Sequence, residues 1–73
     1  MANHKAQIEI SFRCFDWLLN RFGSVKKICE QTPISRTVIY SWKCGETAPS
    51  AYYLQYLCEI GADMKYILLN KKG

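Results

Sequence analysis

Apolar residues recur along this chain at helical spacing, between regularly placed breakers. Phe12, Phe15, Leu19 and Phe22 fall at i, i+3, i+7 and i+10, one stripe of a helix, with Leu18 on its flank. Ser11 stands at the N-cap of that stripe, and Gly23 stands where a left-handed residue would end it. Upstream, Ile8 and Ile10 alternate with Gln7, Glu9 and Ser11. A short strand and an earlier start of the same helix both fit that alternation. A second helix opens after Ser24, with Val25, Ile28 and Cys29 on its apolar face and Lys26, Lys27 and Glu30 outward. Pro33 disfavours helical backbone at Thr32 and ends it. A helix of about two turns is marginal alone, so neighbours must hold it.

Ser35 caps a third helix that runs to about Cys44, before Gly45. At 100° per residue, Val38, Ile39 and Trp42 gather on one side of it. Thr37, Tyr40, Ser41 and Cys44 gather on the other, with Arg36 and Lys43 on the flank. A loop over 46–50 contains Pro49. Ser50 then caps a fourth helix over 51–60, with Tyr53, Leu54, Leu57 and Cys58 inward and Gly61 as its stop. Asp63 caps a last helix over 64–69, with Met64, Ile67 and Leu68 inward, and the tail over 70–73 is polar. The pattern predicts an all-α fold: five helices forming one compact domain over 1–73.

A chain of 73 residues has room for one core. At this size about 60–65% of the unfolded surface is buried, so the stability margin is thin. The composition is 49% hydrophobic and 22% charged, which is globular and not disordered. No run approaches the ~18 apolar residues of a membrane span, and residues 1–10 lack the apolar core of a signal peptide. A cytoplasmic protein without membrane contact is expected. The net charge of +4 permits a polyanionic partner without requiring one.

Cys14, Cys29, Cys44 and Cys58 are too far apart for the paired spacing of a zinc site, and the lone histidine, His4, lies near the N-terminal end. Without a secretion signal, the expectation is four reduced, mostly buried cysteines and no metal. The six acidic residues are scattered and no glycine-rich phosphate loop is present, so no catalytic site, cofactor or small-molecule ligand is expected.

The informative segment is 24–44. Two short helices are joined by Thr32, Pro33 and Ile34, and the second has a buried face and a polar, acid-free outer face with basic flanks. A helix-turn-helix meets the same physical specification: one helix braces across the DNA backbone while the next presents hydrogen-bonding side chains to base edges in the major groove. A solvated helix on a generic bundle has the same pattern.

Residues 25–45, VKKICEQTPISRTVIYSWKCG, resemble the helix-turn-helix of the Cro/lambda-repressor-like (XRE-type) family of phage and bacterial transcriptional regulators. The shared features are a small residue at Cys29, an aliphatic and a serine at Ile34-Ser35, an aliphatic at Ile39, Trp42 and Gly45. Pro49-Ser50, Tyr53-Leu54 and the ending from Gly61 to Leu68 are similar as well, so the resemblance spans about residues 11–70. The turn carries Pro33 where the family commonly has glycine, and proline excludes a left-handed conformation there. The resemblance implies a double-stranded operator DNA partner, base-reading roles for Arg36, Thr37, Tyr40, Ser41 and Cys44, and phosphate contacts from Ser24, Lys26, Lys43 and Thr47. Arg36 suits a bidentate guanine contact, and Tyr40 a thymine methyl or a phosphate. An antitoxin or antirepressor built on the same fold is the alternative, because fold does not dictate function.

A homodimer is expected on a palindromic operator. Trp17 lies about 180° from the centre of the first stripe, and Tyr66 and Leu69 lie opposite the inner face of the last helix. In the family these two helices pack side by side, which implies one exposed patch from Trp17, Tyr66 and Leu69 as the dimer interface. The ends, 1–10 and 70–73, are expected to be flexible or to join dimer contacts.

Overall fold

The computed structural model describes residues 4–71, with side chains described from Ile8 onward. The outermost parts of the two end segments, 1–3 and 72–73, lie outside the described residues. The chain forms five helices: α1 (His4–Phe22), α2 (Val25–Gln31), α3 (Arg36–Cys44), α4 (Ala51–Glu59) and α5 (Met64–Leu69). Among the described residues there is no strand, and the expected all-α fold is the one adopted.

α1 is the organising element. It packs on α2, α3 and α5, and at ~1.5 Å per residue its 19 residues run about 28 Å. It begins at His4, so the alternation around Ile8 and Ile10 is helix and not strand. Ser11 is therefore no N-cap. It lies well inside the helix and is fully buried.

The buried face of α1 also differs from the expected stripe. Ser11, Cys14 and Leu18 are fully buried, whereas Phe12 is 45% exposed. Phe15, Trp17 and Phe22 pack against the core from its margins. Three helices close on α1, and the small Ser11 and Cys14 admit their close approach where phenyl rings would hold them apart.

The core is built from Cys14, Leu18, Ile28, Ile34, Ile39, Trp42, Leu57 and Ile67. Trp42 meets the Tyr53 ring edge-on, with centroids 5.3 Å apart, so Tyr53 is its aromatic partner on α4. Leu54, expected on the inner face, is half-buried. Cys58 is exposed, because α4 turns Leu57 into the core with Tyr53, Tyr56 and Ile60 beside it. Leu68 is 38% exposed, because the short α5 seats Ile67 and Met64 instead.

Local chemistry fixes the boundaries. Ser24 Oγ accepts from the Lys27 N–H (3.2 Å), Ser35 Oγ from Val38 (3.2 Å) and Asp63 Oδ1 from Tyr66 (3.1 Å). Ser50 occupies the N-cap of α4 without a side-chain cap bond. The α2–α3 turn needs no left-handed residue. Thr32 is extended (ψ 162°), its hydroxyl donates to the Ile28 carbonyl (2.7 Å) and accepts from the Ile34 N–H (3.2 Å), and Ile34 is buried below. Thus Thr32 shapes the turn with extended backbone and its two hydroxyl bonds, and Pro33 sits exposed beside it.

At the other end of α3, Gly45 adopts φ 75°. A Cβ there would lie 2.9 Å from Ile8 Cγ2 and 3.2 Å from the Phe12 ring, so glycine is required both for the backbone and for the close approach to α1. α5 is tied to α1 by Arg13 Nε donating to the Ile67 carbonyl (2.9 Å) and by Tyr66 OH donating to Asp16 Oδ2 (3.0 Å).

Candidate nucleic-acid interface

The segment 24–44 folds as α2, a turn over 32–35 and α3. α3 is held on its inner side by Ile39 and Trp42, at its start by the Ser35 cap and at its end by Gly45. What remains outward is Arg36, Thr37, Tyr40, Lys43 and Cys44, all exposed, with no acidic residue among them. Glu46 is the nearest acid in sequence and lies in the loop that follows. Lys43 Nζ stands 5.6 Å from the centroid of the Tyr40 ring, within cation–π range.

Of the five expected base-reading residues, the structure brings Arg36, Thr37, Tyr40 and Cys44 together on one exposed surface. Ser41 is half-buried and differently engaged. Its hydroxyl donates to the Val38 carbonyl (2.7 Å) and shares a hydrogen bond with Thr47 Oγ1 (2.8 Å). The Thr47 carbonyl accepts from Ser11 Oγ of α1, and the Glu46 N–H donates to the Ser41 carbonyl (2.8 Å). This network pins the loop over 46–50 against α3. Ser41 and Thr47 thus hold the surface in shape, and Ser24 holds the start of α2 through its cap bond.

The pattern of apolar residues missed the role of Ser11. The available signal was a hydroxyl at the first position of the Ser11–Cys14–Leu18 stripe, where a buried polar group must find a partner.

Lys26 and Lys27 are exposed in the first turn of α2. Among the described residues one ion pair forms, between Arg13 and Glu9 at 3.8 Å. Among the described residues no carboxylate pairs with Arg36, Lys26, Lys27 or Lys43. Chemically, the surface offers a guanidinium fork, two hydroxyls, an aromatic ring and a thiol, with ammonium groups beside them.

The remaining expected sites are distributed differently. Leu69 is 62% exposed, but Trp17 and Tyr66 are half-buried against the core, because α1 and α5 face each other and cover them within one chain. The outward apolar surface near Leu69 comes instead from Leu68, and Phe12 is exposed on α1.

All four cysteines are free. Cys14 is buried, and burial pushes its thiol up to about 12, so it stays protonated and inert. Cys29 is half-buried, while Cys44 and Cys58 are exposed, contrary to the expectation of mostly buried thiols. α3 and α4 each turn bulkier residues, Trp42 and Leu57, into the core. Phe12, Arg13, Phe15, Asp16, Lys43 and Tyr66 line an open cleft of about 510 Å³ over α1.

Among the described residues no group of three or more His, Cys, Asp or Glu is placed to hold a metal ion, and no helix is long and apolar enough to cross a membrane. Compared with family models, with curated proteins and with solved structures, the chain matches none.

Proposed function

We propose that the chain is a sequence-specific double-stranded-DNA-binding transcriptional regulator of the Cro/lambda-repressor-like helix-turn-helix kind, without catalytic activity, working in the cytoplasm of a bacterial or phage-infected cell. α3 enters the major groove and the α2 end braces on the backbone. The observation that carries the reading is the two-sided build of α3. Ile39 and Trp42 lock one side into the core, while Arg36, Thr37, Tyr40 and Cys44 face outward with no acid among them. Lys26 and Lys27, at the start of α2, supply phosphate contacts beside that helix.

The regulator acts as a homodimer on a palindromic operator. Each chain carries one α3, and successive major grooves are ~34 Å apart, so two copies are needed to place two α3 helices in neighbouring grooves on one side of the duplex.

A second reading is a protein-interaction module on the same scaffold. The exposed apolar side chains Phe12, Leu68 and Leu69 favour it. Salt separates the two. A DNA binder loses affinity steeply as salt rises, in proportion to the phosphates it contacts. Retention on duplex DNA that falls steeply with salt, followed by enrichment of one palindromic site from random DNA, is the expected result. Failure to bind duplex DNA at low salt sinks the first reading and leaves the second.

A further inference from the structure

The outer arc of α3 has a restricted chemistry for reading bases. At 100° per residue, Arg36, Tyr40, Cys44 and Thr37 follow one another over about 100° of the helix, and all four are exposed. None is Asn, Gln, Asp or Glu. Asn or Gln reads adenine bidentately in the major groove, and a carboxylate accepts from the cytosine amino group. Neither base therefore meets its usual partner on this arc. Arg36 suits the O6 and N7 of guanine. The rest of the arc is the Tyr40 ring, the Thr37 methyl and the Cys44 thiol, with the Thr37 and Tyr40 hydroxyls beside them.

Two further contacts narrow the options. Ser41, the hydroxyl next along the helix, is engaged with the Val38 carbonyl and Thr47. Lys43 Nζ lies 5.6 Å from the centroid of the Tyr40 ring, which restrains that ring while leaving 41% of the residue exposed.

The one apolar feature a base edge presents in the major groove is the C5-methyl group of a pyrimidine, carried by thymine and by 5-methylcytosine. We propose that this arc is a C5-methyl reader: each half-site carries a guanine under Arg36 and, beside it, a C5-methylated pyrimidine against Tyr40 and Cys44. The inference rests on reading α3 as the DNA-recognition helix.

The test uses the full chain and duplexes selected from random DNA, once from an unmethylated pool and once from a pool carrying 5-methylcytosine. In the selected site each thymine is exchanged in turn for deoxyuridine, which removes the methyl group alone. At the position that responds, a C·G pair is compared with 5-methylcytosine·G. Burying one methyl group corresponds to about a fourfold change in affinity.

The expected result is a loss of about fourfold at one or two positions per half-site and a matching gain on cytosine methylation there. Both effects should vanish in Tyr40→Ala and persist in Tyr40→Phe, which keeps the ring. A site enriched from the unmethylated pool assigns thymine as the source, and one enriched only from the methylated pool assigns 5-methylcytosine. Equal affinity for thymine and deoxyuridine at every position overturns the proposal while leaving specific DNA binding standing. A methyl effect that survives in Tyr40→Ala is not read by this ring and overturns it too. Absence of duplex binding at low salt overturns the DNA-binding reading, and this inference with it.

Discussion

The guanidinium of Arg36 and the ammonium of Lys26 are both exposed, yet their surroundings separate their roles. Arg36 opens α3 at the edge of its exposed arc, whereas Lys26 lies on the first turn of α2. Replacing Arg36 with Ala should cost about 1–3 kcal/mol on the preferred site and relax one base position. Lys26→Ala should weaken all sequences alike and lower the salt slope by about one. Binding of each variant to a set of single-base operator changes checks both, and a uniform loss for Arg36→Ala would reassign it to phosphate. Cys14 makes a separate prediction about pH. Its thiol is pushed up from 9.0 to about 12 by burial. Below pH 9 both folded and unfolded thiols are protonated; between pH 9 and 12 the unfolded chain alone releases the proton. The contribution is therefore intact below pH 9 and is lost upward through that window, by up to about 1.4 kcal/mol per pH unit. Chemical denaturation of wild type and Cys14→Ala at pH 8 and 10.5 should show a steeper decline in wild type.

At the scale of elements, most caps and stops were legible in the sequence because they depend on single residues; Ser11, which lies inside α1, and Ser50, which makes no cap bond, are the exceptions. Ser24, Ser35 and Asp63 cap as the pattern predicts, and Gly45 takes the left-handed conformation. The two-sided build of α3 was legible too, since Ile39 and Trp42 recur at helical spacing and are buried. The buried face of α1 was not. Its apolar residues wrap much of the helix, so periodicity could not tell which face three neighbouring helices would cover, and Ser11 read as a polar cap where it is core. The engagement of Ser41 with Thr47 was hidden for a related reason: a hydroxyl on an outward arc reads the same whether it faces solvent or a returning loop. Gly45 joins α3 to α1 through its missing Cβ, and Gly61 supplies a control. Both have positive φ, but a Cβ at Gly61 meets nothing within 4 Å. Gly61→Ala should therefore cost about 1 kcal/mol of left-handed strain, and Gly45→Ala more, about 2 kcal/mol, since Ile8 and Phe12 must move as well. Equal losses in thermal melts would mean that the α1 contact yields freely.

For the whole molecule, assembly and opening follow from what covers what. Trp17 and Tyr66 are satisfied within the chain, so the apolar surface left for a second copy centres on Leu68 and Leu69. Leu68→Glu with Leu69→Glu should leave a folded monomer with markedly weaker operator binding, and sedimentation showing an unchanged dimer would move the interface elsewhere, with Phe12 the next apolar residue to test. The position of α1 has a consequence in time as well as in space. A helix that packs on α2, α3 and α5 can be freed only when all three let go, so its central amides should exchange with deuterium at the rate of global unfolding. α4 leans on the rest chiefly through Leu57 and the edge of Tyr53 against Trp42. Its amides should exchange faster, through a partial opening that releases α4 while α3 stays clamped to its spine.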